Sequence, residues 1–446
     1  MIEGPVLWRD QPGYEEARLG AIWNPVKPDR KPSAIVHALH AQDVSGSIQL
    51  ARERGLHVKA RSGGHSWTAS GIRDNSVLVD VSRLNDISVD ASGMTATIGP
   101  GVLGQELNRA LERHGLFFPT GHCPTVGVAG FLLTGGYGWH SQHLGPACMS
   151  MVGIDVVLAD GRLVHADEAT NSDLLWAARG AGAGFFGVIT QFHLRCYPRP
   201  RTMMSSVYLY PLSVLDEVLA WARVLGPDLS SEVELVMIGT TPQGPGLPPD
   251  GPPMLMVVAT AMSDTDDAAE QGLRPLESCP VFEQSTVLQA YKPVSMNELE
   301  AIGDAAHPSE FRWAVDNMWT DASAEELVPA VRGLFLDMPT PISHVFWQNW
   351  PYPPVLDAAL STTGKIYIAA YSAWTDPDED EKHRFWGRDA MRALAHLSTG
   401  IQLGDENLDG RPEARFLSDE NLDRLADLRA EWDPTGLFLG YLAGNE

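Results

Sequence analysis

The chain has 446 residues, room for two large or three small domains, and its 44% hydrophobic and 20% charged content is that of an ordinary globular protein. A formal net charge of −25 argues against nucleic acid and against an anionic membrane surface as partners. No apolar run approaches the ~18–20 residues that span a bilayer. The opening Met1-Ile2-Glu3-Gly4-Pro5 has neither a basic nor an apolar leader region, so a cytoplasmic location is expected. Cys123, Cys148, Cys196 and Cys279 are too widely spaced to suggest a metal site, and no metal is expected.

Taken in order, residues 1–30 read as a lead-in with a short helical stretch from Tyr14, broken at Trp23-Asn24-Pro25. A strand is expected near Ser33-Ala34-Ile35-Val36. Ala41-Gln42-Asp43-Val44 then opens a helix that runs through Arg54, with Asp43 as its N-terminal acid, Val44, Ile48 and Ala51 at helical spacing, and Gly55 as its stop. A second strand through Leu56, Val58 and Ala60 leads into Arg61-Ser62-Gly63-Gly64-His65-Ser66. Paired glycines permit a tight turn with positive φ, and its backbone N–H groups can converge on an anion. The hydroxyls of Ser62 and Ser66 and the charge of Arg61 would add to such a cradle, with His65 at its tip. A plain glycine turn with a surface histidine is the competing reading. Val77–Val81 and 94–100 are read as a strand pair and 102–116 as a helix.

Residues 120–138 carry Gly127, Gly130, Gly135, Gly136 and Gly138 with apolar residues between them, a segment suited to lying flat against a large planar ligand. A hairpin follows at 154–164 with Asp160-Gly161 at its turn, then a short helix from Asn171 or Ser172 to Gly180, and a strand at 188–194. After Tyr197-Pro198-Arg199-Pro200 the glycine loops thin out. Strands are expected at Ser205–Leu209, Val233–Ile238, Met254–Ala259, His344–Trp350 and Ile366–Trp374, helices at Leu212–Leu225 and Ser323–Met338, and a Pro/Gly loop at Gln243–Pro253. The acidic run at 376–381 reads as a helix start.

The two glycine stretches together resemble the berberine-bridge-enzyme-like FAD-linked oxidases of the vanillyl-alcohol-oxidase, PCMH-type flavin fold. The first matches at Arg61, Gly63, Gly64, His65 and Ser66, and the second at Gly121, Cys123, Pro124, Val126, Gly127 and Gly130. The resemblance covers essentially the whole chain and is strongest in the first half. It implies an α+β fold of two domains. The FAD-binding domain would be 1–198 plus 412–446, with its core at about 30–198, and an antiparallel-sheet substrate domain would be 199–411. It also implies FAD bonded covalently to both His65 and Cys123. The residues around the flavin would be Arg61, Ser62, Gly63, Gly64, Ser66, Gly121, Val126, Gly127, Gly130, Gly135, Gly136 and Gly138, with Gly187, Val188 and Ile189 reading the adenine end. Tyr441, three residues past Phe438, falls where relatives often have an asparagine near the flavin.

The implied activity is an oxidase that takes a hydride from an alcohol, sugar, amine or secondary metabolite, with molecular oxygen as acceptor and H2O2 as product. Valine at 126 matches oxidases of the family. The alternatives are a dehydrogenase with another acceptor, or a flavoprotein that has lost oxidase chemistry. The expected partners are a small-molecule substrate and oxygen, in a monomer or homodimer. The chain departs from the family at the catalytic base. The usual Tyr-x-Asn before Gly404-Asp405-Glu406 is missing, and Thr399 and Ile401 stand in its place. Candidates for the base are therefore Tyr371 and His344, then Tyr367 and Gln348, with His122 and His140 beside the flavin segment. Strand alternation puts His344, Phe346 and Gln348 on one face. A tyrosine base would need its pKa lowered by the flavin and local donors. His143, His193 and His396 have no second ligand at metal spacing.

Overall fold

The computed structural model describes residues 2–242, 251–350 and 357–442. The Pro/Gly loop expected at 243–253 lies largely outside the described residues. The helix Ala41–Arg54 buries Val44, Ile48 and Ala51, and Gly55 ends it in the left-handed region at φ 63°, where a Cβ is strained. Asp43 serves as more than a favourable charge. Its carboxylate accepts the backbone N–H groups of Glu3, Gly4 and Leu39, tying the N-terminus to the helix start.

That helix connects strands of a four-stranded sheet ordered Val6–Trp8, Ala34–His37, Ser76–Asp80, His57–Arg61, in which the last three run parallel. Ser76–Asp80 does not pair with Thr95–Ile98. It is buried along its whole length inside the parallel sheet. Thr95–Ile98 instead belongs to a five-stranded antiparallel sheet, between Ile87–Asp90 and Val188–Arg195. The strand Ile87–Asp90 has no counterpart in the sequence reading, because its short alternating stretch has an exposed face and little apolar content. The hairpin of Met151–Val157 and Leu163–Asp167 completes this sheet.

The middle of the chain forms an eight-stranded antiparallel sheet. One face packs Val345, Trp347, Ile368 and Ala370 against the helices Leu215–Leu225 and Ala324–Leu336. The opposite face, with Tyr367, Tyr371, Trp313 and Trp319, joins the core of the first half. The acidic run starts the helix Asp380–Ala393 as expected, and Asp376 accepts the N–H of Asp378. After the helix Asp419–Trp432 the chain returns to the first sheet. Val58 N–H donates to Leu437 O at 2.8 Å, and Leu439 N–H donates to Val58 O at 3.1 Å.

Candidate active site

A cavity of about 410 Å³, within the usual range for ligand sites, lies between the glycine loop after strand His57–Arg61, the segment 121–134 and the open face of the large sheet. The loop is braced from behind. Arg61 donates through Nε to Ala21 O at 3.0 Å and through Nη1 to Asp80 at 3.2 Å. Ser62 Oγ donates to Pro100 O, and Ser66 Oγ accepts the N–H of Ser70. These side chains therefore shape the loop, and the hydroxyls of Ser62 and Ser66 are engaged with protein, contrary to the expectation that they act as spare donors. Burial would raise the Asp80 carboxyl, but His37, Arg61 and Ser82 hold it down to about 2. Its folded pKa lies below the unfolded 3.8, so its stabilisation is present above that value and is lost as pH falls through about 2. Asp80→Asn is expected to cost roughly 2 kcal/mol at neutral pH, and urea titrations should show the deficit shrinking between about pH 4 and pH 2.

Gly63 and Gly127 meet back to back. A Cβ on Gly63 would sit 2.7 Å from Gly127 N, and one on Gly127 would sit 2.8 Å from Gly63 N. Neither backbone can yield without separating the two loops. Gly63→Ala is expected to cost about 1–3 kcal/mol, measured by denaturant midpoint, and to lower the flavin content of the purified protein.

His65 stacks on Trp23 with centroids 4.9 Å apart and planes at 21°. Its Nε2 is 3.3 Å from Thr125 Oγ1, and that hydroxyl is 3.5 Å from Cys123 Sγ. One threonine thus touches both residues of the expected double attachment. Burial, helped by His307 and Arg61, pulls His65 down to about 4, so the imidazole is neutral at pH 7. Burial pushes the Cys123 thiol up, and Thr125 only partly opposes it.

The four candidates for the base come together on one wall. Sheet register sets His344 opposite Tyr371 and Gln348 opposite Tyr367, and all four line the cavity with Phe346. His344 and Tyr371 stack at 4.6 Å and 15°. Burial drops His344 to about 3, and its Nδ1 faces Ile342 O at 3.3 Å. Both tyrosines donate to one acceptor, Asp405 Oδ2, at 2.6 Å from Tyr367 and 3.0 Å from Tyr371. Trp67 Nε1 donates to Asp405 Oδ1 at 2.7 Å. Burial and the Asp405 charge raise both phenols well above their ordinary 10. The expectation of donors that lower Tyr371 is therefore overturned, because the group beside it is a carboxylate.

Other expected residues are distributed as follows. Gly121, Val126, Gly127, Gly130, Gly187 and Tyr441 line the cavity, and a Cβ on Gly130 would meet nothing within 4 Å. Gly130 lies in a helix, Val128–Leu133, which the glycine-rich composition disguises. Tyr441 packs on Gly184 and donates to Ala181 O at 2.6 Å. Gly135, Gly136 and Gly138 stand off the cavity wall. Gly135 and Gly136 adopt φ of 105° and 79°, and Cβ atoms on Gly136 and Gly138 would strike Ala147 and the Thr120 carbonyl. Their glycines answer to protein neighbours. Val188 and Ile189 are buried strand residues off the wall. His122 lines the cavity and pairs with Glu234 at 2.8 Å, whereas His140 is buried away from it and stacked on His143.

Sequence reading misses Asp405, visible there only as part of a turn, and Thr125, Trp67 and His307. It also misses Lys59, whose Nζ donates to the carbonyls of Ala183 and Leu439 at 2.7 Å each, and to that of Gly440 at 3.1 Å. Burial, with Arg73 and Arg429, lowers Lys59 to about 7.

The lining fits a flavin. Gln348, 1% exposed, lines the cavity and has neither its Oε1 nor its Nε2 paired among the described residues, which leaves buried hydrogen-bonding capacity at this wall. Gly130, where a Cβ would meet nothing within 4 Å, leaves part of the wall without side-chain bulk. Comparison with known proteins agrees. A family model described as an FAD binding domain matches residues 32–167. The FAD-linked oxidoreductase penO of Penicillium crustosum is 30% identical over 437 residues, covering 96% of this chain and 94% of its own. Among solved structures, 6-hydroxy-D-nicotine oxidase from Arthrobacter nicotinovorans has a TM-score of 0.84 at 22% identity, covering 99% of this chain and 98% of that one. Berberine bridge enzyme from Eschscholzia californica has a TM-score of 0.83 at 19% identity, covering 98% of this chain and 96% of that one. The cavity, its glycine loops and a likeness that runs the length of both chains lead to one conclusion: this protein belongs to the FAD-linked oxidoreductases and is an FAD-binding enzyme.

Proposed function

We propose that the enzyme is an oxidase: it removes a hydride from a substrate carbon bearing OH or NH and a proton from that heteroatom, and the two electrons go on to O2, which leaves as H2O2. The observation that carries this reading is the convergence of Tyr367, Tyr371 and Trp67 on Asp405 in the same cavity as His65 and Cys123. FAD, when bound, supplies the hydride-accepting ring. His65 and Cys123 would hold it covalently. Gly130 would give it room, Gly63, Gly64 and Gly127 would hold the two loops close beneath it, and Gln348 and His307 would offer it or the substrate their unpaired atoms. Val126, beside Cys123, would border the path of oxygen.

The proton has a route through this chain. A substrate hydroxyl or amine that donates to Tyr371 Oη can pass its proton there while Tyr371 passes its own to Asp405. The tyrosine stays neutral before and after, in keeping with its raised pKa. Trp67 and Tyr367 fix the carboxylate, and neutral His344 backs the Tyr371 ring. In this reading residues 1–198 plus 412–446 form the FAD-binding domain and 199–411 the substrate domain. The pairing of residues 437–439 with Val58 supports the C-terminal return.

A panel of alcohols, sugars, amines and aromatic secondary metabolites, followed by a peroxidase-coupled assay, tests the proposal. The expected result is H2O2 in equal amount to substrate oxidised. Turnover with a dye acceptor but no peroxide in air would reject oxygen as the acceptor.

A further inference from the structure

We propose that Asp155, His165 and His193 form a binding site for a divalent transition metal of the Zn2+ class on the face of the five-stranded sheet, separate from the flavin cavity. The three residues come from adjacent strands, Met151–Val157, Leu163–Asp167 and Val188–Arg195. Spacing in the chain leaves His193 without a partner, and sheet register supplies two. Asp155 lies directly opposite His165. His193 lies opposite Gly153, two residues from Asp155 and so on the same face. One nitrogen of each ring and a carboxylate oxygen lie within 4.8 Å of one another. Individually, His165 Nδ1 is 2.6 Å from Asp155 Oδ1, and His193 Nε2 is 3.3 Å from Asp155 Oδ2.

Two further features suit a metal. The first is room between the rings. A Cβ on Gly153 would meet His165 Cε1 and His193 Cδ2 at 3.4 Å each, so the glycine keeps side-chain bulk out of the space they flank. The second is the outer set of partners. His193 Nδ1 is 3.1 Å from Thr97 Oγ1, and His165 Nε2 is 3.5 Å from Asp167 Oδ2. Each ring is thus held on its remote nitrogen, which aims the other nitrogen at Asp155. Histidines that ligate metals are oriented by hydrogen bonds of this kind. Two imidazoles and a carboxylate favour Zn2+, Co2+ or Ni2+ over the oxygen-seeking Ca2+ and Mg2+. His165 is about half exposed, leaving coordination positions to water. Such an ion would cross-link three strands of the sheet.

The competing reading is a histidine–aspartate hydrogen-bonded cluster with no affinity for metal. Untagged, flavin-loaded protein is stripped with a chelator, dialysed against Zn2+ at neutral pH and assayed for bound metal. The expected result is a single equivalent, absent from His165→Gln and from His193→Gln, and held about 10–100-fold more weakly by Thr97→Val. Flavin content and circular dichroism check that the variants fold. A measurement on the unaltered protein needs no variant: Zn2+ should protect both His165 and His193 from diethylpyrocarbonate. Failure of the wild type to take up zinc, retention of the equivalent by both histidine variants, or undiminished modification of the two histidines at saturating zinc would each overturn the proposal.

Discussion

Acid precipitation is expected to leave the flavin of the wild-type protein in the pellet, and to release all of it from a His65→Ala/Cys123→Ala double variant. The two proposed attachment points differ in chemistry. His65 is held neutral by burial, so one ring nitrogen keeps an available lone pair at pH 7, and with Nε2 facing Thr125, Nδ1 is the nitrogen expected to form the bond. Cys123 is in the opposite condition: burial favours its thiol, and the thiolate is the reactive form. Attachment at His65 should therefore be complete, while attachment at Cys123 should be slower and should accelerate with rising pH. Cys123→Ala is expected to keep its flavin in the pellet through His65. Mass spectrometry of tryptic peptides decides the matter. A flavin bridging the two peptides is expected, a flavin on the His65 peptide alone would remove the Cys123 half, and free flavin from wild type would remove both.

The two motifs that carry these proposed attachment residues stand out in the sequence because they are local. Gly64 needs positive φ, and Gly63 and Gly127 tolerate no Cβ against each other, so the demands of the backbone are written in consecutive letters. Strand alternation likewise suffices to put His344, Phe346 and Gln348 on one wall, and all three line the cavity. Asp405 is not legible as the centre of the site. Its partners Trp67, Tyr367 and Tyr371 lie 338, 38 and 34 positions away, and no period in the sequence joins them. Lys59 misleads in a different way. A lysine alternating with Val58 and Ala60 reads as a solvent-facing strand position, yet three carbonyls from the far end of the chain and from residue 183 enclose it. The strand Arg312–Thr320 escapes sequence reading because Asp316 and Asn317 interrupt its apolar character. Arg411 and Asn407 pair with Asp316 inside the structure, and Asn317 donates to two backbone carbonyls, at 402 and 405, so the polar pair is satisfied where it is buried.

Asp405→Asn is expected to lower the rate of substrate oxidation by on the order of 10²–10⁴, the range for losing a positioned base. The substitution preserves shape and one acceptor oxygen, so Trp67 can keep its partner. It places an amide where Tyr367 and Tyr371 now donate to a carboxylate, or removes the negative charge they share if the amide turns over. Either way Tyr371 loses a group that can take its proton. Tyr371→Phe should fall by a similar factor, because it cuts the relay between substrate and Asp405. The double variant should be little worse than either single one, since residues that act as a unit are not additive. Tyr367→Phe should cost less, because Trp67 and Tyr371 still orient the carboxylate. Flavin content should stay at the wild-type level in all of these, which separates lost chemistry from lost cofactor. The relay would be rejected if Asp405→Asn and Tyr371→Phe both oxidise a good substrate within a few-fold of wild type from about pH 6 to 9, the span over which a working base must show itself. If Asp405→Asn alone collapses, the carboxylate receives the proton directly and Tyr371 is a wall.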